Sequence, residues 1–307
     1  MPADEGVRSR MTPEEFPPIH SQHAVVLDWV GPRWAGHLRY AVHLSEQSFA
    51  PGETELRDLW PDGAGLCWLG GPAVGPGPWP RNAEGAPLSH VLTLDLRTVA
   101  GASDHQGKAV WPAGRLREGL PVSGHLQVFH DLQTYGGDPE DGDRAGWAVT
   151  WMPEAEDGLR SALVEAPDDD GAPDPVCQLV LPYAGFTLPS SLDVAVTDPR
   201  DADRLEELDD ALREAWTVQR GLDPAWPIPT SHVYGHGWTG DALAGGEILP
   251  EVLPLEEGDE HRLVLDVESW TTLQGWFGDA GHLEVWMRQS DLERGAFDRA
   301  WCLIRTD

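Results

Sequence analysis

Short apolar runs recur along the chain and predict a protein built mainly of β-strands. Residues 88–96 alternate between apolar and polar side chains with period two, the pattern of a half-buried strand. Similar runs are rich in β-branched and aromatic residues, and turns rich in Pro and Gly separate them. The predicted strands cover residues 23–29, 36–44, 88–96, 124–130, 146–152, 176–183, 261–267, 281–288 and 300–305.

One segment has helical periodicity instead. A helix is predicted from Pro199 to Gly221, with Asp198 as its N-cap, because proline suits the first helical position and glycine suits the residue after the last turn. Its apolar residues recur at spacings of three and four. These residues are Leu205, Leu208, Leu212, Ala215 and Trp216. Shorter helices are predicted at residues 54–60 and 290–296.

An internal repeat is visible in the order of the strands. Residues 90–96 (HVLTLDL) precede residues 124–129 (GHLQVF), and residues 261–267 (HRLVLDV) precede residues 281–286 (GHLEVW). We therefore expect an α+β fold with mainly antiparallel sheets in two related, duplicated halves packed face to face, with few helices.

The repeat also predicts the division of the chain. Residues 1–20 are expected to form a flexible leader, because acids and prolines stand where a signal peptide would need an apolar stretch. Residues 21–166 are predicted to form the half with the first repeat, and residues 176–307 the half with the second. The two halves are expected to form one compact unit.

The charge narrows the classes of partner. The chain has 52 acidic and 21 basic residues, a net charge of −31. Nucleic-acid binding depends on basic side chains that neutralise phosphates, and anionic membranes attract basic clusters, so neither partner is expected. A basic protein is the partner that this charge favours. The 15 tryptophans supply the large aromatic side chains that fill cores and anchor interfaces.

The cysteines indicate the compartment. Cys67, Cys177 and Cys302 are odd in number and widely spaced, which argues against a disulfide scaffold or a zinc site. The sequence predicts a cytoplasmic protein with neither a metal nor a cofactor.

Several motifs resemble those of the YwqG-like family of bacterial proteins, a domain of unknown function. A double glycine with a following Trp-Pro comes first, then a strand before an acidic residue, then a Gly-x-Leu strand and a C-terminal Trp-Phe-Gly motif. In this chain they are Gly70-Gly71-Pro72, Trp79-Pro80, residues 92–96, residues 124–129, and residues 276–281 with 283–286, Asp291-Leu292 and Phe297.

The resemblance covers about residues 65–305. It implies a soluble intracellular α+β protein with duplicated halves, and it implies no established reaction. Residues 231–238 keep the family's His and Gly in one loop but lack its Gln and Pro.

Five residues are the candidates for binding a ligand or partner. His232 and His236 flank Tyr234 on a Gly-rich loop, with Trp238 next to them, so the two histidines could converge if the loop folds tightly. Asp279 precedes a strand and could act as a carboxylate at the same site. The alternatives are structural histidines and a carboxylate that caps its own turn.

Two further motifs could indicate a calcium site and a phosphate site, but the details of their sequences argue against both. The acidic stretch at residues 138–143 could hold calcium, but Gly142 occupies the fifth position where an EF-hand-like loop needs an oxygen ligand. The resemblance to YwqG-like proteins implies a hairpin turn between two strands here. The Gly-rich segment at residues 70–77 is interrupted by prolines and leads into no helix, which argues against a phosphate site.

The sequence is compatible with two functions. One is a non-enzymatic protein-interaction module that binds a basic partner, for example an immunity- or antitoxin-like protein. The other is a small-ligand binder or enzyme with an aromatic and His-lined cleft between the halves. We favour the interaction module, because no complete set of catalytic residues is present and a catalytic residue cannot be named.

Overall fold

The computed structural model describes the chain in segments. These are residues 30–46, 53–60, 65–75, 77–102, 119–154, 162–168, 173, 175–191, 193–194, 198–219, 231–237, 240, 246, 248–269, 272–273, 275–278 and 281–306. The predicted leader, residues 1–20, lies outside them. No structural observation tests the predicted division into residues 21–166 and 176–307, which stays a prediction.

Twelve strands are present in the described residues. They are β1 Arg39–Glu46, β2 Cys67–Gly70, β3 Ala73–Val74, β4 Ser89–Asp95, β5 His125–His130, β6 Trp147–Met152, β7 Leu163–Val164, β8 Cys177–Thr187, β9 His232–Tyr234, β10 His261–Glu268, β11 His282–Arg288 and β12 Trp301–Arg305. Eight of the nine predicted strands are confirmed, and the ninth, residues 23–29, lies outside the described residues. The pattern missed β2, β3, β7 and β9, which are only two to four residues long.

The predicted α+β class with two duplicated halves packed face to face was wrong. Among the described residues, ten strands form one antiparallel sheet in the order β12-β11-β10-β9-β1-β8-β2-β4-β5-β6, and this sheet is nearly closed into a barrel. The class is therefore closer to all-β, and duplicated halves are not shown. A curled sheet buries its inner face against itself, so a second sheet is not needed to cover the repeated strands.

The inner face of the curled sheet forms the main core. Inward-facing residues from both ends of the strand order belong to one cluster, which joins Val42 of β1 to Leu126 of β5 and Val285 of β11. These three side chains have no exposed surface. Burial of this shared interior holds distant parts of the chain in one unit.

Irregular pairing changes which side chains face outward in β4. The register between β4 and β5 shifts between His90 and Leu92, as expected for a β-bulge. Leu92 and Leu94 face the core, whereas His90 lies beside Thr93, with its Nε2 atom 2.8 Å from Thr93 Oγ1. The bulge therefore places His90 on the outer face of the sheet.

The helices in the described residues are few, and three of them contact β8. The helices are α1 Glu53–Leu59, α2 Leu96–Ala100, α3 Pro199–Gln219, α4 Leu249–Val252 and α5 Gln289–Glu293, which confirms the long predicted helix and both shorter ones. The Arg200 N–H donates to Oδ1 of Asp198, the predicted N-cap residue, over 3.0 Å. Leu205, Leu208 and Leu212 are buried as their spacing predicted. None of the helices in the described segments has the length and apolar character needed to span a bilayer.

Two tryptophans join the edge strands where the sheet nearly closes. The rings of Trp147 in β6 and Trp301 in β12 meet edge to face with centroids 4.8 Å apart. The Trp301 indole donates to the Gly136 carbonyl over 2.8 Å, and the Ile304 N–H donates to the Tyr135 carbonyl over 2.9 Å. The loop between β5 and β6 therefore covers part of the otherwise exposed edge of β12.

Trp301→Phe tests this closure. The substitution removes the donor for the buried Gly136 carbonyl, so we expect the free energy of unfolding to fall by about 1–3 kcal/mol, as measured by urea denaturation. Tyr135→Phe alters a half-exposed ring in the same loop and should change stability by less than about 0.5 kcal/mol. Equal effects of the two substitutions would show that the indole bond does not contribute to closure.

Candidate functional site

A cleft of about 460 Å³ lies beside the first residues of β4. One wall comes from the turn after β2, a second from the segment before β8, and a third from the loop between β10 and β11. Five of its lining residues are prolines: Pro72, Pro87, Pro167, Pro173 and Pro175. Its volume falls in the range of small-molecule sites.

The double glycine explains how the cleft is shaped. Gly70 and Gly71 have φ angles of +63° and +64°, in the left-handed region. The Gly71 N–H donates to the Val176 carbonyl over 2.6 Å, and a Cβ atom on Gly70 would lie 2.2 Å from that same carbonyl oxygen. Only glycine lets the chain turn this close to the segment before β8.

His90 lines the cleft and stabilises this turn through its imidazole ring. Its Nδ1 atom lies 2.7 Å from the Gly70 carbonyl oxygen and 3.2 Å from that of Gly71. Burial lowers the pKa of His90 to about 4, so the imidazole is neutral at pH 7. The neutral ring donates from Nδ1 to Gly70 and accepts at Nε2 from Thr93, so both of its nitrogens serve the fold.

Trp276 enters the cleft from the loop between β10 and β11. The base of this loop is closed by the Ser269 N–H, which donates to the Gly281 carbonyl over 2.9 Å. The Ser269 hydroxyl also donates to the Gly278 carbonyl over 3.1 Å. Trp276 is half-buried and packs against the core cluster while it lines the cleft. The aromatic wall is therefore anchored on the sheet.

Among the described residues that line the cleft, the charged side chains are two carboxylates. Glu165 and Asp168 are exposed at its rim, and Glu165 also pairs with Arg57 of α1. None of the described lining residues is Lys or Arg. The electrostatic character of the cleft is therefore negative.

The three predicted residues around β9 lie apart from this cleft. His232 and Tyr234 belong to a strand and not to the expected loop, and all of His232, Tyr234 and His236 are buried. His232 Nδ1 lies 2.5 Å from the Tyr234 carbonyl oxygen, whereas His236 Nε2 lies 2.7 Å from that of His37. The two rings thus hold different backbone segments. The other two predicted site residues, Trp238 and Asp279, lie outside the described residues, and a binding role for the five stays a prediction.

His232 instead joins a row of buried polar side chains. The row runs across four neighbouring strands through His43, His232, Asp266 and Glu284, which are cross-strand partners and so share one face of the sheet. Asp266 and Glu284 have no exposed surface. Glu284 accepts from the Trp286 indole over 2.9 Å and lies 3.5 Å from Arg305, which compensates its buried charge.

A histidine on β11 contacts this row. His282 Nδ1 lies 2.6 Å from Asp266 Oδ1. Burial by itself lowers the pKa of His282, but the charge and hydrogen bond of Asp266 outweigh it, with further attraction from Glu268 and Glu284, so the pKa is raised. The imidazolium form of His282 therefore offsets part of the negative charge buried in the sheet.

Asp291, a residue of the C-terminal motif, is also buried with its charge compensated. It accepts from Arg288 over 2.5 Å, and Arg299 and Arg294 lie 3.4 Å and 3.7 Å away. This carboxylate fixes the short helix α5 against the sheet. Three arginines around one buried acid indicate a structural role.

The structure also accounts for the acidic stretch at residues 138–143. It forms a 3-10 helix, Pro139–Arg144, in the connection between β5 and β6, and Asp138 caps it by accepting from the Glu140 N–H over 2.9 Å. The hairpin interpretation is confirmed. Within the part of the chain that the structure describes, no group of three or more His, Cys, Asp or Glu side chains is placed to hold a metal ion.

Comparison with known proteins places the chain in a family. Residues 69–305 match the family model described as "Domain of unknown function (DUF1963)". The chain belongs to the DUF1963 family. None of the curated proteins compared with the chain matches it. The DUF1963 match extends from the last residues of β2 to the end of β12, so it includes each of the described residues that line the cleft.

Two of the sequence motifs contribute to the cleft, but the sequence does not predict the cleft itself. Gly70-Gly71-Pro72 and Trp276 were both identified as motifs, but about 200 residues separate them, and only the fold brings them to one cavity. The sequence pattern does not mark Glu165 or Asp168 as site residues, because the segment around them has the composition of a solvated loop. The meeting of the two motifs makes the cleft the candidate functional site of this DUF1963 domain.

Gly70→Ala tests the close approach that shapes the cleft. The added Cβ would collide with the Val176 carbonyl, so we expect a loss of about 3 kcal/mol or more in the free energy of unfolding, measured by denaturant titration. Gly85→Ala is the matched control, since Gly85 has a φ of +87° with open space around it. Its free energy of unfolding should fall by only about 1–2 kcal/mol, because a side chain at this φ strains the backbone. Equal losses would contradict the steric explanation.

The neutral histidines predict a loss of stability in acid. His90 and His130 both have a pKa lowered to about 4 by burial, below the ordinary value of 6.5. The unfolded chain therefore binds these protons at a higher pH than the folded protein does. Above pH 6.5 both histidines are neutral in both states, so the free energy of unfolding is unaffected by them there. It falls as the pH drops from 6.5 toward 4.

His90 alone should contribute about 3 kcal/mol to this loss at pH 4. His90→Gln should make the free energy of unfolding fall less steeply between pH 7 and pH 4, as measured by urea unfolding at each pH. An unchanged slope in His90→Gln would rule out this linkage.

Proposed function

We propose that this protein is a non-enzymatic interaction module whose partner is a basic protein. The observation that carries the proposal is the cleft, whose charged lining residues are the carboxylates Glu165 and Asp168, in a chain with a net charge of −31. A field of this sign attracts positively charged molecules and raises their rate of association. We further propose that the protein is bacterial and cytoplasmic.

The long helix supports this proposal because it displays acids outward. Glu206, Glu207 and Asp210 are exposed, while Leu205 and Leu208 on the opposite side are buried against the sheet. The acids are therefore not consumed by packing. They contribute to the long-range attraction of a basic partner, and contact with that partner is proposed at the cleft.

The environment of the predicted histidines also favours binding over catalysis. His232 and His236 are buried, and each has a ring nitrogen within hydrogen-bond distance of a backbone carbonyl oxygen. Groups held in this way serve the fold, and a general acid or base needs access to the substrate. The proposal therefore assigns no catalytic residue.

One concrete form of the proposal is an immunity- or antitoxin-like protein that caps a basic toxin. The chain's double-glycine and Trp276 motifs, on which the resemblance to YwqG-like proteins rests, both line the proposed contact site. Membership of that narrower group is part of this proposal and goes beyond the family match.

A second candidate function is the binding of a small ligand, with or without a reaction. The observation in its favour is the volume of the cleft, which suits a small molecule, together with Trp276 and the neutral His90 in its lining. The two candidates differ in what they require of the ligand. A basic protein needs the charge of the whole chain, whereas a small neutral ligand does not.

Association kinetics with a basic peptide test the main proposal. The probe is a 12-residue peptide of Arg, Gly and Ser, mixed with the protein at low salt in a stopped-flow instrument. Replacing Glu206 and Glu207 by Gln and Asp210 by Asn should lower the association rate constant about two- to five-fold and leave the dissociation rate unchanged. Because salt screens such charges, the difference should vanish at about 0.5 M salt.

The matched control keeps the charge and changes the side chains. Glu206→Asp, Glu207→Asp and Asp210→Glu in one chain should associate at the wild-type rate. Absence of peptide binding at low salt would overturn the proposal of a basic partner. Association that is insensitive to salt would overturn electrostatic attraction as its cause.

A further inference from the structure

We propose that the cleft recognises a single arginine side chain of the basic partner, with its guanidinium group against Trp276 and within reach of Asp168. This inference rests on the proposed function and adds the chemical group that is bound and the residues that bind it. It is carried by three features of the cleft: its hydrogen-bonding groups, its charge and its aromatic wall.

The first feature is the set of hydrogen-bonding groups, because the described lining holds no cationic donor. Its five prolines have no N–H group. The N–H groups of Gly71 and Leu88 already donate to the carbonyls of Val176 and Pro80. Both ring nitrogens of His90 are engaged by the structure. An anionic ligand would find no cationic side chain among the described lining residues, whereas a guanidinium brings five donors of its own and needs only acceptors.

Charge is the second feature. Glu165 already pairs with Arg57, so a guanidinium is a group that this rim accommodates. Asp168 is exposed, and none of the ion pairs found among the described residues involves it. An incoming cation would therefore meet one carboxylate that is still available and a second one close by.

The aromatic wall is the third feature and favours arginine over lysine. Trp276 is half-buried and is the aromatic residue with the largest ring among the described residues that line the cleft. A planar guanidinium stacks on an aromatic face and is more weakly hydrated than an ammonium group, so it loses less when it leaves water. Trp276 and a carboxylate in one cavity thus match both properties of the arginine side chain.

The proposed occupant is an arginine within a protein and not the free amino acid. An exposed ion pair contributes little by itself, because both groups are well hydrated and salt screens them. The net charge of −31 acts on every basic residue of a partner, which a single small cation cannot exploit. The flanking chain of the partner therefore supplies the remaining affinity.

The test uses the same stopped-flow assay with four probes. They are a nine-residue peptide of Gly and Ser with one central arginine and a lysine at each end, its analogues with lysine or citrulline at the centre, and arginine amide. Citrulline has the shape of arginine without its charge. We expect the citrulline peptide to bind at least about tenfold more weakly than the arginine peptide, and the lysine peptide to lie between them.

Three substitutions locate the binding site. Asp168→Asn should raise the dissociation rate of the arginine peptide about three- to tenfold with little change in the association rate. Trp276→Leu should raise it by at least about as much, and Trp276→Phe, which keeps an aromatic face, should raise it less. Thermal unfolding of each variant shows whether the fold is retained, and Asp168→Asn keeps the test decisive if Trp276→Leu does not fold.

Each outcome has a separate meaning. If the arginine peptide binds and neither Asp168→Asn nor Trp276→Phe changes its dissociation, the cleft assignment is overturned while the proposed basic partner stands. Equal binding of the citrulline and arginine peptides overturns recognition of the charge. Arginine amide that binds as tightly as the peptide overturns a protein as the source of the arginine. If none of the charged peptides binds at low salt, the proposed function itself fails.

Discussion

The near-closure of one antiparallel sheet is the constraint on which the rest of the structure depends. A sheet edge exposes unpaired backbone groups, and an open sheet of this width would expose a large apolar face. Here Trp147 and Trp301 bring the two edge strands together, and side chains from both ends of the strand order fill one interior. Because the sheet itself covers much of its inner face, the short helices α2 and α5 add only a few residues to the interior, such as Leu96 and Leu292.

The outer face of the same sheet carries polar groups that are buried and compensated in charge. Asp266 lies beside His282, and Glu284 lies beside Trp286 and Arg305. Buried charges of this kind are costly without partners, so each one ties neighbouring strands in a single register. The acidic composition therefore has two parts, a buried part that serves the fold and an exposed part that is available to a partner.

The cleft follows from the same architecture. The bulge in β4 turns His90 outward, His90 holds the double-glycine turn, and the loop between β10 and β11 supplies Trp276. Each of these elements is anchored to the sheet, which makes the cleft a feature of the folded state. Its proline walls and carboxylates explain why a cationic group is the proposed occupant and an anion is not.

The sequence by itself determined most of the strands and the long helix with its Asp198 cap, because these depend on local periodicity and on short-range contacts. Only the tertiary structure decided that the strands form one curled sheet, that His232 lies in a strand, and that Trp276 and Asp168 line one cavity. Strand order and curvature arise from contacts between residues far apart in the chain, and no local pattern encodes which face of a sheet a distant loop will reach.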